Sequence, residues 1–291
     1  EKLPGRGFTQ GPLEFQTALC VEGDTEADIV MNLRNICLSM REAWSGNNAS
    51  LEEEKNREIN ISDLDLDINL EGFPIGVNKT SKQPVYFNYF EMPTCIISGI
   101  SEASRENLLN LILNAFNNEL DTKIYLYESE EKIGALYPDC ILAHNASEAD
   151  NLISELADEF DRRSNEDEEN YSKIVFCVNN FLGFYRGISQ ESADILETIV
   201  RSGADFNMFF YIVSNVEDLA FLDTFKASIK SFDNCMKKCN AMAMGGNIRD
   251  YAGFSELCGE TDIKFAENEG CLIHDNRITV LKFAKAGAKD E

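Results

Sequence analysis

With 291 residues, 44% of them hydrophobic and 10% aromatic, the chain can bury a substantial core, which excludes disorder throughout. Its 26 lysines and arginines against 51 aspartates and glutamates leave a formal charge of −25. That surface repels phosphate backbones and anionic lipid head groups, so neither nucleic acid nor direct membrane contact is expected.

The chain opens at Glu1 in mid-pattern, with no leader pattern, and reads as a piece excised from a longer polypeptide. Residues 1–20 form a Gly/Pro-punctuated turn followed by a strand near Leu13 to Cys20, in the manner of an inter-domain segment. Residues 21–70 then read as a helix and an acidic linker packed on the core. Asp24 is the expected N-cap, and Ile29, Leu33, Ile36, Met40 and Trp44 recur at helical spacing up to Ser45-Gly46. The stretch from Ser50 to Glu71 is acidic and turn-rich, which predicts a surface linker.

From residue 71 to 291 short apolar runs alternate with amphipathic ones. Strands are expected at Val85 to Tyr89, Thr94 to Ser98, Lys123 to Tyr127, Cys140 to Ala143, Lys173 to Val178 and Phe209 to Ser214. Helices are expected at Ala103 to Glu119, Ser147 to Arg163 and Gln190 to Ser202. Near-continuous apolar strands alternating with helices predict an α/β fold, a mostly parallel sheet with helices on both faces. Cys271 to Phe283 predicts a closing β-hairpin at the C-terminus, turning at Asp275-Asn276. Its Gly-turn-strand layout echoes residues 4–18, as in a tandem array of similar domains.

The segment Thr94 to Phe116 has the strand, short loop and helix of a phosphate-binding loop, whose working form is GxxxxGK[ST]. Gly99 matches. Ser104 replaces the second glycine, Arg105 the lysine and Glu106 the hydroxyl. A side chain at position 104 obstructs backbone contact with phosphate, and a carboxylate about 4 Å from a polyanion costs roughly 4 kcal/mol at intermediate dielectric. The strand Ile174 to Val178, where acids would hold Mg²⁺ and orient water, ends instead in Asn179-Asn180. A degenerate nucleotide loop is therefore expected, with binding of ATP and Mg²⁺ lost or very weak.

The nine cysteines are scattered, as in a reduced cytosolic protein. Cys235, Cys239 and His274 lack any CxxC partner spacing, so packing thiols are the simpler reading and no metal site is expected.

Several runs together resemble the FtsK/SpoIIIE-type coupling proteins of type VII secretion, the EssC/YukB/EccC family. They are PGRGFTQGPLEFQTAL at residues 4–19, the lead-in Phe73-Pro74-Ile75-Gly76-Val77, IVRSGADFNMFFYIVSN at residues 199–215, and Ala241 to Gly246 with Asp250-Tyr251. The resemblance implies a RecA-like P-loop NTPase fold. It also implies the cytoplasmic C-terminal part of a membrane-anchored motor, following earlier ATPase domains in a protein that can form rings, with WXG-type substrates and effectors as partners. Arg201 matches the family's arginine as a candidate finger, and Asn215 stands at its sensor glutamine. The expected function is a pseudo-ATPase domain for substrate recognition or regulation of export. The alternatives are a weak ATPase completed by a neighbouring domain or subunit, and a domain that only stabilises the ring.

Overall fold

The computed structural model describes residues 6–8, 14–16, 21–23, 25–43, 58–64, 72–130, 132–166, 171–219, 240–254, 259 and 262–286. The contacts divide the chain into two compact units, residues 1–57 and 58–291. In the first, Arg6–Phe8 (β1) pairs antiparallel with Glu14–Gln16 (β2), Gly7 opposite Phe15. Helix Glu26–Ala43 (α1) follows, and the cap falls one residue later than its sequence suggested. The Asp28 amide donates to Thr25 Oγ1 at 3.2 Å and the Thr25 amide donates to Asp28 Oδ2 at 3.0 Å, a reciprocal pair that closes the first turn. Asp24, Trp44 and the rest of the expected strand from Leu13 to Cys20 lie outside the described residues.

The second unit carries Phe73–Asn78 (β3), Pro84–Phe87 (β4), Thr94–Gly99 (β5), Glu102–Asn117 (α2), Thr122–Tyr127 (β6), Ile141–Ala143 (β7), Ala146–Asn165 (α3) and Lys173–Asn179 (β8). Phe181–Gly187 (α4), Gln190–Ser202 (α5), Met208–Asn215 (β9), Asn240–Asn247 (β10), Lys264–His274 (β11) and Arg277–Phe283 (β12) complete it. Ten strands form one sheet in the order β4-β3-β12-β11-β10-β5-β9-β8-β6-β7, parallel from β10 to β7 and antiparallel from β4 to β10.

The parallel strands are apolar throughout because both faces are covered. Along β8, Ile174, Phe176 and Val178 join the core beneath α3, α4 and α5, while Val175 and Cys177 join the one beneath α2. On β9, Phe210 and Ile212 face the first core and Phe209 and Tyr211 the second. Each fully buried aliphatic or aromatic side chain here contributes about 2 kcal/mol of transfer free energy.

The closing hairpin turns at Asp275 and Asn276, with φ 48° and 57°, the left-handed pair that a two-residue turn between twisted strands requires. The end of the expected linker lies against the sheet. Asn60 bridges Lys285, the Lys285 amide donates to Ile59 O at 2.7 Å, and Leu64 is buried, so residues 58–64 belong to the core of this unit. The isoleucines of INIS and Leu64 find apolar cover there, which outweighs the acidic composition around them.

Candidate functional site

In a parallel sheet every strand delivers its C-terminal end to the same edge, and ligands bind where connections diverge there. In this protein that edge carries a cleft of about 250 Å³ lined by residues following β5, β6, β8 and β9. The structure thus brings Arg105, Glu106, Asn179, Asn180 and Asn215 together, although they are spread over 111 positions of sequence from Arg105 to Asn215.

The turn after β5 is short. Helix α2 already begins at Glu102, leaving Ile100 and Ser101 as the non-helical residues after Gly99. Ser101 caps the helix, its Oγ accepting from the Ser104 amide at 3.1 Å and lying 2.8 Å from Ser104 Oγ. The Arg105 amide donates to Ser101 O at 3.2 Å. Ser104 is buried, and a Cβ placed on Gly99 would meet Ser104 Cβ at 2.8 Å. Amides that a phosphate loop would direct at its ligand are thus spent inside the first helical turn. The Arg105 guanidinium folds back and donates from Nη1 to Gly99 O at 3.0 Å.

Glu102 sits on the first turn of α2, where the helix dipole favours a negative charge, and pairs with Lys132 at 2.6 Å. The Lys132 hydrogen bond, with its charge, holds the Glu102 carboxyl below the usual range; Lys132 is raised by the same partner and by Glu130 at 3.0 Å. The cleft is lined by five carboxylates, those of Glu102, Glu106, Glu128, Glu130 and Asp218, against the two cations Arg105 and Lys132.

At the neighbouring strand ends the amides have structural work. Asn180 adopts φ 64° and caps α4, its Oδ1 accepting from the Gly183 amide at 3.2 Å. Asparagine tolerates that left-handed backbone better than any branched residue. Asn215 Oδ1 accepts from the Asp218 amide at 2.7 Å and its Nδ2 donates to Asp218 Oδ2 at 2.9 Å, capping the turn at 216–219. Asn179 donates to Glu128 Oε1 at 3.4 Å. Arg201 is not brought to this cleft. It lies exposed in the last turn of α5, before β9 begins, whereas the cleft lies where β9 ends.

The lining residues that the sequence did not mark include Glu128, Lys132 and Asp218. Glu128, 2% exposed, accepts the amides of Ile133 at 3.0 Å and Gly134 at 2.8 Å, so the loop after β6 wraps a buried carboxylate. An acid directly after the strand TKIYLY was its one visible signal. Asp218 was foreshadowed by the N-x-x-D capping pattern from Asn215, and Lys132 by nothing local. Among the described residues no cluster of three or more His, Cys, Asp or Glu side chains is placed to hold a metal. Cys235 and Cys239 lie outside them, and His274 Nδ1 is 2.7 Å from Asn240 Oδ1. No described helix is long and apolar enough to cross a membrane.

No family model matches the chain. In sequence it is 31% identical over 115 residues to the ESX secretion system protein EccC of Thermomonospora curvata, an overlap covering 38% of this chain and 9% of that protein. In fold it is similar to Thermomonospora curvata EccC (ATPases 2 and 3), solved in complex with a signal sequence peptide. That match has a TM-score of 0.66 and 17% identity, covering 98% of this chain and 54% of that one. A second match is EssC (ATPases 2 and 3) from Geobacillus thermodenitrificans, with a TM-score of 0.63 and 13% identity over 91% of this chain and 51% of the other. The chain therefore spans about half of these two solved fragments and a small part of the curated relative. The resemblance to type VII coupling-protein ATPase domains holds in sequence over part of the chain and in fold over nearly all of it, and the fold is the RecA-like P-loop NTPase fold.

Proposed function

We propose that this chain is a domain of a type VII secretion motor that has given up nucleotide chemistry and serves protein export as a binding module. The likeness to EccC and EssC supports the motor assignment. The observation that carries the loss of chemistry is the turn after β5, with the Ser104 amide satisfied by Ser101 and Arg105 turned onto Gly99 O. The residues present do not fit Mg-ATP. The phosphate cradle is wound into helix, Glu106 stands at the position of the metal-holding hydroxyl, and Asn179 and Asn180 stand where strand-end acids would be, one of them engaged in capping.

The solved EccC fragment with its signal sequence peptide supports protein as the ligand, and WXG-type substrates are the corresponding cargo here. The parent protein would be a membrane-anchored motor with this domain on its cytoplasmic side, beside earlier ATPase domains and within a ring. Arg201, exposed and away from its own cleft, is free to meet an adjacent subunit in such a ring.

The test is calorimetric titration with Mg-ATP, followed by anisotropy with a labelled helical signal-sequence peptide. The expected result is no nucleotide binding up to about 1 mM, and peptide binding that does not change with ATP. A nucleotide Kd tighter than about 100 μM, equivalent to more than roughly 5 kcal/mol, would return the domain to the enzymes. Absence of peptide binding would leave it a ring-stabilising role.

A further inference from the structure

The turn after β5 is held by more than its own degenerate residues. Ile100 follows Gly99, and its backbone N–H donates to Met244 O at 3.2 Å, an oxygen that the Tyr251 hydroxyl also meets. That hydroxyl lies 2.8 Å from both Met244 O and Gly245 O, and Tyr251 is fully buried. Burial pushes its phenol well up, so it stays a donor. The Ile100 side chain, although 50% exposed, lies directly on the Gly245–Gly246 backbone: a Cβ added at either glycine would come within 2.7 Å of it. Both glycines have positive φ, +80° and +74°, where β10 and β11 lose register. The bulge, two glycines and a buried tyrosine together make a seat for one isoleucine.

We propose that this seat is a lock: Ile100 on Gly245–Gly246, with Tyr251 beneath, holds the β5–α2 turn in its closed form independently of the substitutions at Ser104, Arg105 and Glu106. The physical reason is geometric. A loop that wraps a phosphate must swing its residues after the first glycine outward and turn their N–H groups inward. Here the first of those N–H groups already has its acceptor on β10, and the side chain beside it is wedged in place. The inference rests on the non-nucleotide reading above and deepens it. Tyr251 and Ile100 act as positioning residues outside the motif, and repairing the motif alone leaves the turn shut.

The experiment compares three proteins by Mg-ATP calorimetry: the wild type, Ser104→Gly/Arg105→Lys/Glu106→Thr, and that triple variant carrying also Ile100→Gly and Tyr251→Phe. The expected outcome is no binding by the triple variant at about 1 mM nucleotide and a Kd at least tenfold tighter in the fivefold variant. Binding by the triple variant as tight as that of the fivefold variant would overturn the lock, and so would failure of a folded fivefold variant to bind. Binding by the wild type would instead sink the functional reading, which keeps the two apart. Should the fivefold variant fail to fold by circular dichroism, amide exchange in Tyr251→Phe decides. The Ile100 amide must exchange at least about tenfold faster than in the wild type, with Ile97 unchanged, and no acceleration overturns the proposal.

Discussion

Asn180 shows how one residue can look like a lost function and be held by something else. Its position at the end of β8 is where an acid would act in an enzyme, yet its side chain caps α4 and its backbone sits at φ 64°. Asn180→Ala removes the cap and places a Cβ-bearing residue without local hydrogen bonding in the left-handed region, so it should cost about 2 kcal/mol by urea unfolding. Asn180→Gly loses only the cap and should cost about half as much. Asn180→Asp keeps the cap and should be close to neutral, without creating ATP hydrolysis, because the phosphate cradle is still absent. Hydrolysis gained by Asn180→Asp alone would show that the amide was all that stood in the way.

At the level of elements, α3 is fixed to the sheet by an arginine cluster at its C-terminal end. Arg163, with no exposed side-chain surface, donates to Glu159 at 2.7 Å and to Ser172 O at 2.8 Å, and lies over the Tyr171 ring. Glu159 also accepts from Arg162 at 2.9 Å, and chiefly that hydrogen bond, with Arg163 behind it, lowers its carboxyl to about 2 from an ordinary 4.5. A depressed carboxylate stabilises the fold above its ordinary value, and this contribution is lost as pH falls from about 4.5 through about 2. Full conversion of the shift would give about 3 kcal/mol, and the exposure of Arg162 reduces it to roughly 1–2. Glu159→Gln should therefore lower the urea midpoint at pH 7 and lower it little near pH 2. An equal loss at both pH values would show that packing, not charge, is what the substitution removes.

For the whole molecule, the ten-stranded sheet and its two cores draw on residues from Leu64 onward, and residues 58–64 are tied to its last strand region through Lys285. The unit from 58 to 291 should fold without residues 1–57, with its melting temperature within about 4 °C of the full chain's. Cutting at residue 72 instead removes Leu64 with Ile59 and Ile61, and should cost about 3 kcal/mol or more. Equal stability of the two truncations would mean that residues 58–64 add nothing to the core. The full chain's charge of −25 also makes it repel its own kind at low salt, so any ring should tighten as ionic strength rises.

Hydrophobic patterning by itself determined the class of fold, five of the six strands that form the parallel part of the sheet, three helices on both faces and the hairpin turn at Asp275–Asn276. The reason is that each follows from a period or a turn chemistry contained within a few residues. Patterning also marked Gly99, Ser104, Arg105 and Glu106, since their spacing is local. The short helix α4, the core role of residues 58–64, the buried Glu128 and the seat of Ile100 on Gly245–Gly246 were decided only by the tertiary structure. Residues 58–64 with Lys285, and Ile100 with Gly245–Gly246, are far apart in the chain, and no local stretch of sequence encodes their meeting.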